Sequence, residues 1–228
     1  MEIEKIMSKI DNTLLKPTAI WDDIKALCEE SLKYKMASVC IPMCYIKDTA
    51  EFLEKKLPVC TVIGFPLGYS SSEAKLFEAR ESIKLGADEI DMVINIGKLK
   101  SKDYDYIKNE ISRIREAAAD KILKVIIETC YLNEDEKIKM CEIVTETGAD
   151  FIKTSTGFGT DGATLEDIKL FSQNIGKNVK IKAAGGIRTI GDAVDFINAG
   201  AERLGTSAGA KIYQAYLSGD SGQINSAY

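Results

Sequence analysis

The sequence of 228 residues is long enough for one large domain but short for two, and 45% of it is hydrophobic and 29% charged. This composition is typical of a globular protein with a sizeable core, and it excludes collagen-like, low-complexity and disordered classes. The formal net charge of −5 argues against electrostatic binding to nucleic acid or to anionic lipid. The first residues, MEIEKIMSKIDN, are mixed in charge, so we predict no signal peptide, no membrane anchor and a cytoplasmic location.

Histidine is absent from the sequence, and this absence limits the possible chemistry. It excludes Ser-His-Asp and Cys-His nucleophile pairs and removes the commonest zinc ligand. Catalysis would therefore depend on Lys, Asp, Glu, Tyr or Cys. The six cysteines show no CxxC spacing and mostly lie in apolar runs, which predicts reduced, buried thiols and no metal site.

Short β-branched runs alternate with amphipathic stretches along the whole chain, which is the pattern expected of repeated βα units. Three of the predicted helices end at a glycine that precedes Ala and an acidic residue, as expected of helix C-caps. Eight strands are predicted, at residues 13–15, 37–41, 59–63, 89–94, 123–128, 151–154, 179–183 and 203–206. The cap residues are Ser70 with Glu73, Thr164 with Asp167 and Thr189 with Asp192 at helix starts, and Gly86, Gly148 and Gly200 at helix ends.

Eight such units in 228 residues predict a single α/β domain, a (β/α)8 TIM barrel over residues 1–228, with a flexible C-terminal tail from about residue 218. The alternative is a doubly wound open sheet. That fold usually carries a GxGxxG turn after its first strand, and this sequence has none. In a barrel the chemistry lies where the strands end, so polar residues at those positions are the candidates for a site.

Two lysines, Lys153 in DFIKTSTG and Lys182 in VKIKAAGG, lie at the ends of neighbouring predicted strands. Either one alone is more simply explained as a strand-end lysine that reaches solvent or pairs with an acid. Together they favour a neutral, nucleophilic amine, because like charges at short range oppose protonation. Asp91 lies in an apolar strand on the same face as Glu89, and it either pairs with a lysine or orients one and moves protons.

Small and hydroxylated residues follow the last two predicted strands. The segments AAGGIR and LGTSAG contain Gly185, Gly186, Thr206 and Ser207. Loops after strands seven and eight of a barrel are the usual phosphate site, and a helix N-terminus there favours an anion. From the residues alone we predict a Schiff-base enzyme that acts on a phosphorylated carbonyl compound.

Over nearly its whole length the sequence resembles the deoxyribose-phosphate aldolases, class I aldolases of (β/α)8 fold. The motifs that carry the resemblance are IDNTLLKP, ASVCIPM, ADEIDMVINIG, DFIKTSTGFG, IKAAGGIR and RLGTSAG. The resemblance implies reversible cleavage of 2-deoxy-D-ribose 5-phosphate to D-glyceraldehyde 3-phosphate and acetaldehyde, in deoxyribonucleotide catabolism, without metal or cofactor. It also implies a small-molecule sugar phosphate and aldehydes as partners, and we expect a homodimer or higher homo-oligomer.

The resemblance implies roles for particular residues. Lys153 matches the Schiff-base lysine, Lys182 the second lysine that favours its neutral form, and Asp91 the acid that relays protons through water. Tyr228 matches a C-terminal tyrosine used in proton transfer, although it could equally belong to a frayed tail. Positions that line the mouth or contact substrate and phosphate are Asp11, Thr13, Leu15, Cys40, Thr156, Gly185, Gly186, Thr206 and Ser207.

One position departs from the family pattern. Some members carry a lysine after STG, where this chain has Phe158, so backbone amides and hydroxyls would carry more of the phosphate binding. Two other functions remain open at this point. A pyridoxal-phosphate barrel enzyme also needs a lysine and a phosphate site, and a non-catalytic sugar-phosphate binder would bind ligand without turnover.

Overall fold

Eight parallel strands close into a barrel in chain order, so that β1 pairs with both β2 and β8. The structure is a computed structural model that describes residues 1–219. The strands are β1 (Ile10–Thr13), β2 (Ser38–Ile41), β3 (Val59–Ile63), β4 (Glu89–Val93), β5 (Ile122–Ile126), β6 (Phe151–Lys153), β7 (Lys180–Ala184) and β8 (Arg203–Thr206). The predicted (β/α)8 barrel is therefore confirmed.

The helices alternate with the strands and surround them. They are α1 (Ile3–Met7), α2 (Trp21–Lys33), α3 (Ile46–Leu53), α4 (Ser72–Leu85), α5 (Ile96–Lys100), α6 (Tyr104–Ala118), α7 (Glu134–Glu146), α8 (Leu165–Asn174), α9 (Ile190–Ala199) and α10 (Gly209–Ser218). Short 3-10 turns at Met43–Tyr45 and Thr129–Tyr131 follow β2 and β5. No helix within residues 1–219 is long and apolar enough to cross a membrane.

The helix ends follow the predicted chemistry at most positions. Gly86 and Gly200 end α4 and α9 in the left-handed conformation, with φ of 113° and 119°, which a residue with a Cβ adopts only under strain. Thr189 caps α9 by accepting a hydrogen bond from the Asp192 amide. The predicted cap of α4 was wrong by one residue, because Ser71, not Ser70, has the extended backbone next to the helix and accepts from the Ala74 amide at 3.3 Å.

The first strand was also predicted too late in the chain. It runs over Ile10–Thr13 rather than residues 13–15, and it pairs with β8 from Ile10 opposite Leu204 onward. All four residues of β1 are buried although two of them, Asp11 and Asn12, are highly polar. A strand that faces a polar interior lacks the hydrophobic run by which strands are recognised, and this explains the error.

The hydrophobic core lies between the strands and the helices. One cluster surrounds most of the barrel and contains Ile90, Ile111 and Phe171, and a second one packs α2 and α3 against β2 and β3. Four cysteines are buried as predicted, but Cys44 is exposed and Cys130 is half-buried; all six are free thiols. The inside of the barrel is different from this core, because it is filled by charged side chains.

Candidate active site

A cluster of charged side chains fills the barrel interior. Asp91 on β4 accepts hydrogen bonds from three lysines: Lys124 reaches Oδ1, and Lys153 and Lys182 both reach Oδ2, each at 2.7 Å. Lys153 and Lys182 lie directly opposite each other on neighbouring strands β6 and β7. Four residues were predicted as catalytic, and three of them lie within residues 1–219. The structure brings these three together.

Asp11 on β1 joins the same cluster from the other side. Its Oδ2 lies 2.5 Å from Lys182 Nζ, and its Oδ1 accepts from Ser38 and Arg203 at 2.7 and 2.5 Å. Arg203 also reaches Glu89 at 3.2 Å, deeper in the barrel. Parallel strands point alternate residues inward, and this is why Glu89 and Asp91 share one interior face, as predicted.

The electrostatics of Asp91 follow from its three neighbours. Burial alone would raise the pKa of this carboxyl, but the positive charges of Lys124, Lys153 and Lys182 outweigh burial and hold the pKa well below its ordinary value. Burial likewise acts to lower the pKa of Lys182, and the carboxylates of Asp11 and Asp91 outweigh it, so that this pKa is raised. Lys182 is therefore a permanent cation next to Lys153.

Lys153 is the lysine of the cluster with the fewest carboxylate partners. Among the described residues it has one carboxylate within 4 Å, whereas Lys182 has two and Lys124 has three. Its side chain is 4% exposed, and those of the other two are fully buried. Counting Arg203, four basic groups face three carboxylates, so the buried cluster has one basic group more than it has acids.

Two cysteines border this cluster. Cys40 and Cys60 lie opposite each other on β2 and β3, and their sulfur atoms and a carboxylate oxygen of Asp91 all lie within 4.8 Å of one another. A hydrogen bond with Cys60 lowers the pKa of the Cys40 thiol. Such a group could in principle hold a soft cation, but three lysines already occupy the Asp91 carboxylate and repel one. We assign no metal to it.

A shallow, open cleft lies over the ends of β7 and β8. Gly185 and Gly186 have φ of 82° and 80°, a conformation that favours glycine and turns the chain around the cleft. The cleft opens next to the N-terminus of α10, whose dipole favours an anion. Its lining contains four residues predicted for phosphate and is formed by Gly185, Gly186, Ile187, Arg188, Gly205, Thr206 and Ser207.

Thr206 helps to build this cleft. Its hydroxyl donates to the Ile187 carbonyl at 2.8 Å and accepts from the Ala208 amide at 3.0 Å. Both bonds are internal to the two loops, so Thr206 shapes the cleft and its hydroxyl proton is already used. The exposed hydroxyl of Ser207 and the exposed Arg188 are the polar side chains that the cleft offers to an anion.

Thr156, also predicted as a substrate contact, lies in a different cleft. This second cleft is lined by the loops after β3 to β6. Phe158 forms part of it and packs edge-on against Phe65, with ring centroids 5.3 Å apart. The residues that line it are Pro66, Leu67, Ile96, Glu128, Tyr131, Thr156, Phe158 and Gly159. We call it the β3–β6 cleft.

The remaining predicted residues are placed as follows. Thr13 is buried at the end of β1, where its hydroxyl donates to the Asp11 carbonyl at 2.8 Å. Leu15 is half-buried in the loop that follows. Tyr228 and most of the predicted tail lie outside the described residues, and the helix α10 continues up to Ser218.

Sequence reasoning missed several charged residues. Lys124 lies between Leu123 and Val125 in a buried strand, and a charge within such a run was the signal that could have identified it. Arg203 is the first residue of β8, and Glu128 lies two residues after the end of β5, so each of these charges also borders a buried strand. Arg188 is the last residue of the segment AAGGIR, and only its neighbours in that segment indicated a functional site there.

Comparison with known proteins agrees with this geometry. The profile of the DeoC/LacD family aldolases matches residues 5–215. A deoxyribose-phosphate aldolase of Clostridioides difficile is 61% identical over 210 residues, which cover 92% of this chain and 96% of the relative. One of Streptococcus agalactiae is 52% identical over 212 residues, with coverages of 93% and 95%.

A solved structure of a deoxyribose phosphate aldolase has the same fold. The deoxyribose phosphate aldolase of Aeropyrum pernix, described as a unique tetrameric structure, superposes with a TM-score of 0.89 at 32% identity. The superposition covers 95% of this chain and 93% of that one. The family profile spans most of the chain, and both relatives match more than 90% of it. The chain therefore belongs to the DeoC/LacD family of aldolases.

Proposed function

We propose that this protein is a deoxyribose-phosphate aldolase in which Lys153 forms the Schiff base. The observation that carries the assignment of Lys153 is its place in the cluster. It is the lysine with the fewest carboxylate partners and the one that reaches the surface of the barrel mouth, and it faces the permanent cation of Lys182. An amine in this position loses its proton at the lowest electrostatic cost.

The reaction is the reversible cleavage of 2-deoxy-D-ribose 5-phosphate. The neutral amine of Lys153 adds to the C1 aldehyde, and loss of water gives an iminium ion. The C2–C3 bond then breaks as the C3 hydroxyl loses its proton, which releases D-glyceraldehyde 3-phosphate and leaves an enamine on the lysine. Protonation at C2 and hydrolysis release acetaldehyde and restore the amine.

Asp91 has a defined part in these proton transfers. While three ammonium groups surround it, its depressed pKa makes it a weak proton acceptor. When Lys153 is neutral, one of these charges is gone and the carboxylate becomes more basic. We therefore assign to Asp91 the orientation of Lys153 and, with water, the movement of protons to and from the carbinolamine.

The phosphate group of the substrate is assigned to the cleft over β7 and β8. Gly185 and Gly186 allow a close approach of the backbone, Ser207 and Arg188 supply polar groups, and α10 supplies its dipole. Asp11 and Cys40 lie beside Asp91, and we assign Thr13 and Leu15, at the end of β1 and after it, to the mouth of the barrel. The proposal thus puts the carbonyl end of the substrate at Lys153 and its phosphate end in the cleft over β7 and β8.

Borohydride reduction in the presence of acetaldehyde tests the assignment directly. Peptide mapping is expected to find the reduced adduct on Lys153, and Lys153→Ala is expected to abolish both the adduct and aldol cleavage without loss of fold. Lys177→Ala is a matched control, because Lys177 is exposed at the opposite end of the barrel, in the turn before β7. An adduct on Lys182 or on another lysine contradicts the proposal.

The two other functions are less well supported. Family membership does not favour a pyridoxal-phosphate enzyme, and such an enzyme would show visible absorbance after purification. A non-catalytic binder would bind the sugar phosphate without releasing acetaldehyde. Assembly as a homodimer or larger homo-oligomer and a cytoplasmic location remain predictions, and sedimentation would measure the first of them.

A further inference from the structure

Glu128 is an unusual acid at the mouth of the barrel. It is 2% exposed, and it lies two residues after the end of β5 with a left-handed backbone, φ 53° and ψ 70°. Residues other than glycine, asparagine and aspartate rarely adopt this backbone conformation, and it persists only where surrounding contacts hold it. Every other buried acid in residues 1–219 has a Lys or Arg within 4 Å, but Glu128 has none.

The carboxylate of Glu128 is bound instead to the loop after β6. It accepts hydrogen bonds from the backbone amide of Thr156, at 3.0 Å, and from the Thr156 hydroxyl. The oxygen of that hydroxyl accepts in turn from the Phe158 amide at 3.0 Å. Burial raises the pKa of Glu128, and the hydrogen bonds from Thr156 act against this rise. The two hydrogen bonds with Thr156 therefore hold the Glu128 carboxylate and the loop after β6 in place relative to each other.

The same loop packs against Glu128 closely. A Cβ added to Gly159 would lie 3.1 Å from the Glu128 carboxyl carbon and 2.9 Å from Cys130 Sγ. The loop begins directly after Lys153, the last residue of β6, and Thr156 is three residues further along the chain. A shift of the loop would therefore move the wall of the barrel mouth next to the proposed nucleophile.

We infer that Glu128 is a positioning residue, which acts through Thr156 to hold the loop of residues 154–159 in the conformation that receives the substrate. The inference rests on the proposed function. Glu128 forms no ion pair with Lys153 within 4 Å, although the charge of Lys153 is near enough to act on its pKa. We therefore expect removal of the Glu128 carboxylate to affect substrate binding more than formation of the Schiff base. The effect is expected in KM for the sugar phosphate.

Kinetics of matched variants test this inference. Glu128→Ala and Thr156→Val are each expected to raise KM by about tenfold, the equivalent of one charge-assisted hydrogen bond. Thr156→Ser keeps the hydroxyl and is expected to restore a KM near that of the parent. The double variant is expected to be no worse than the more damaged single variant, because both changes remove the same contact.

A control separates this role from a general loss of stability. Thr145 donates to the Cys141 carbonyl and accepts from the Gly176 amide at 2.7 and 2.9 Å, at the opposite end of the barrel. Thr145→Val therefore removes comparable loop contacts and is expected to lower Tm without changing KM. If Glu128→Ala lowers Tm but leaves KM unchanged, Glu128 has only a structural role and the inference is wrong.

Trapping with acetaldehyde distinguishes the remaining outcomes. Acetaldehyde is too small to depend on the loop, so the rate of borohydride trapping at Lys153 is expected to be equal in Glu128→Ala and the parent. A trapping rate that falls as much as kcat/KM would show that Glu128 acts on the nucleophile itself, which overturns the inference. Failure of the parent protein to trap at Lys153 would instead refute the proposed function.

Discussion

Asp91→Asn changes the charge at the centre of the barrel while it keeps the size of the side chain. Asp91 is fully buried, and its two oxygens accept from Lys124, Lys153 and Lys182. Asparagine supplies one acceptor oxygen and turns an amide group toward the ammonium groups on its other side. The variant therefore retains buried positive charge without its central counter-ion.

The expected loss of stability is large. Removal of one partner from a buried ion pair costs about 3–5 kcal/mol, because the other charge stays buried without compensation. For a chain of this length each kcal/mol lowers Tm by about 2–4 °C, so we expect a decrease of roughly 6–20 °C. Activity is expected to fall by about a hundredfold or more if Asp91 has its proposed role of orienting Lys153 and moving protons.

The stability difference has a defined pH dependence. The pKa of Asp91 is lowered in the folded protein, so its contribution is fully present above the unfolded-state value, about pH 4. Below that pH the unfolded carboxyl binds a proton while the folded one does not, and the contribution is lost as pH falls. The difference between parent and Asp91→Asn is therefore constant near neutral pH and shrinks in acid.

Urea unfolding from pH 7 down to pH 3 measures this difference. Glu73→Gln serves as the control, because it removes the same charge from a side chain that is 73% exposed and pairs with Arg113 at 2.6 Å. Surface pairs of this kind contribute less than about 1 kcal/mol. A loss in Asp91→Asn as small as in the control, or one that stays constant down to pH 3, would refute the electrostatic reasoning.

Three further changes test other parts of the site. Lys182→Leu is expected to abolish activity at neutral pH and to restore part of it in alkali, because a second ammonium no longer repels the proton on Lys153; an unchanged pH–rate profile would assign this tuning to another group. EDTA is expected to leave activity unchanged, and a loss that added metal reverses would contradict the Schiff-base mechanism. Tyr228→Phe is expected to slow proton exchange in acetaldehyde and overall turnover while trapping at Lys153 survives, and equal exchange rates would make the tyrosine a bystander.

Several features of the fold could be predicted from local sequence because local chemistry decides them. Gly86 and Gly200 end helices in a backbone conformation that glycine adopts most easily, and Thr189 caps a helix through a contact three residues away. The strands β3 and β8 have the predicted bounds, since apolar runs bounded by turns mark them. Alternation along β4 was enough to place Glu89 and Asp91 on one face.

Other features depend on residues that are distant in the chain. Lys124 appears as one more lysine in a strand until closure of the barrel brings it to Asp91, 33 residues away. β1 was misplaced because its polar residues are bound by partners that local hydropathy does not show. Asp11 accepts from Ser38 on β2 and Arg203 on β8, and Asn12 donates to two side chains of α2. Thr156 lies in the β3–β6 cleft, whereas Gly185 and Gly186 line the cleft over β7 and β8. This separation likewise depends on which loops meet above the barrel.

The sequence by itself therefore determined the order of the elements, the barrel and the two lysines at the strand ends. Spacing, helix caps and strand alternation act over a few residues, and their physical causes are present in any short segment. Only the tertiary structure decided which lysine of the cluster has the fewest carboxylate partners, and which buried acid of residues 1–219 has no Lys or Arg within 4 Å. These contacts join residues that are distant in the chain, so their Coulomb interactions and burial exist only once the barrel has closed.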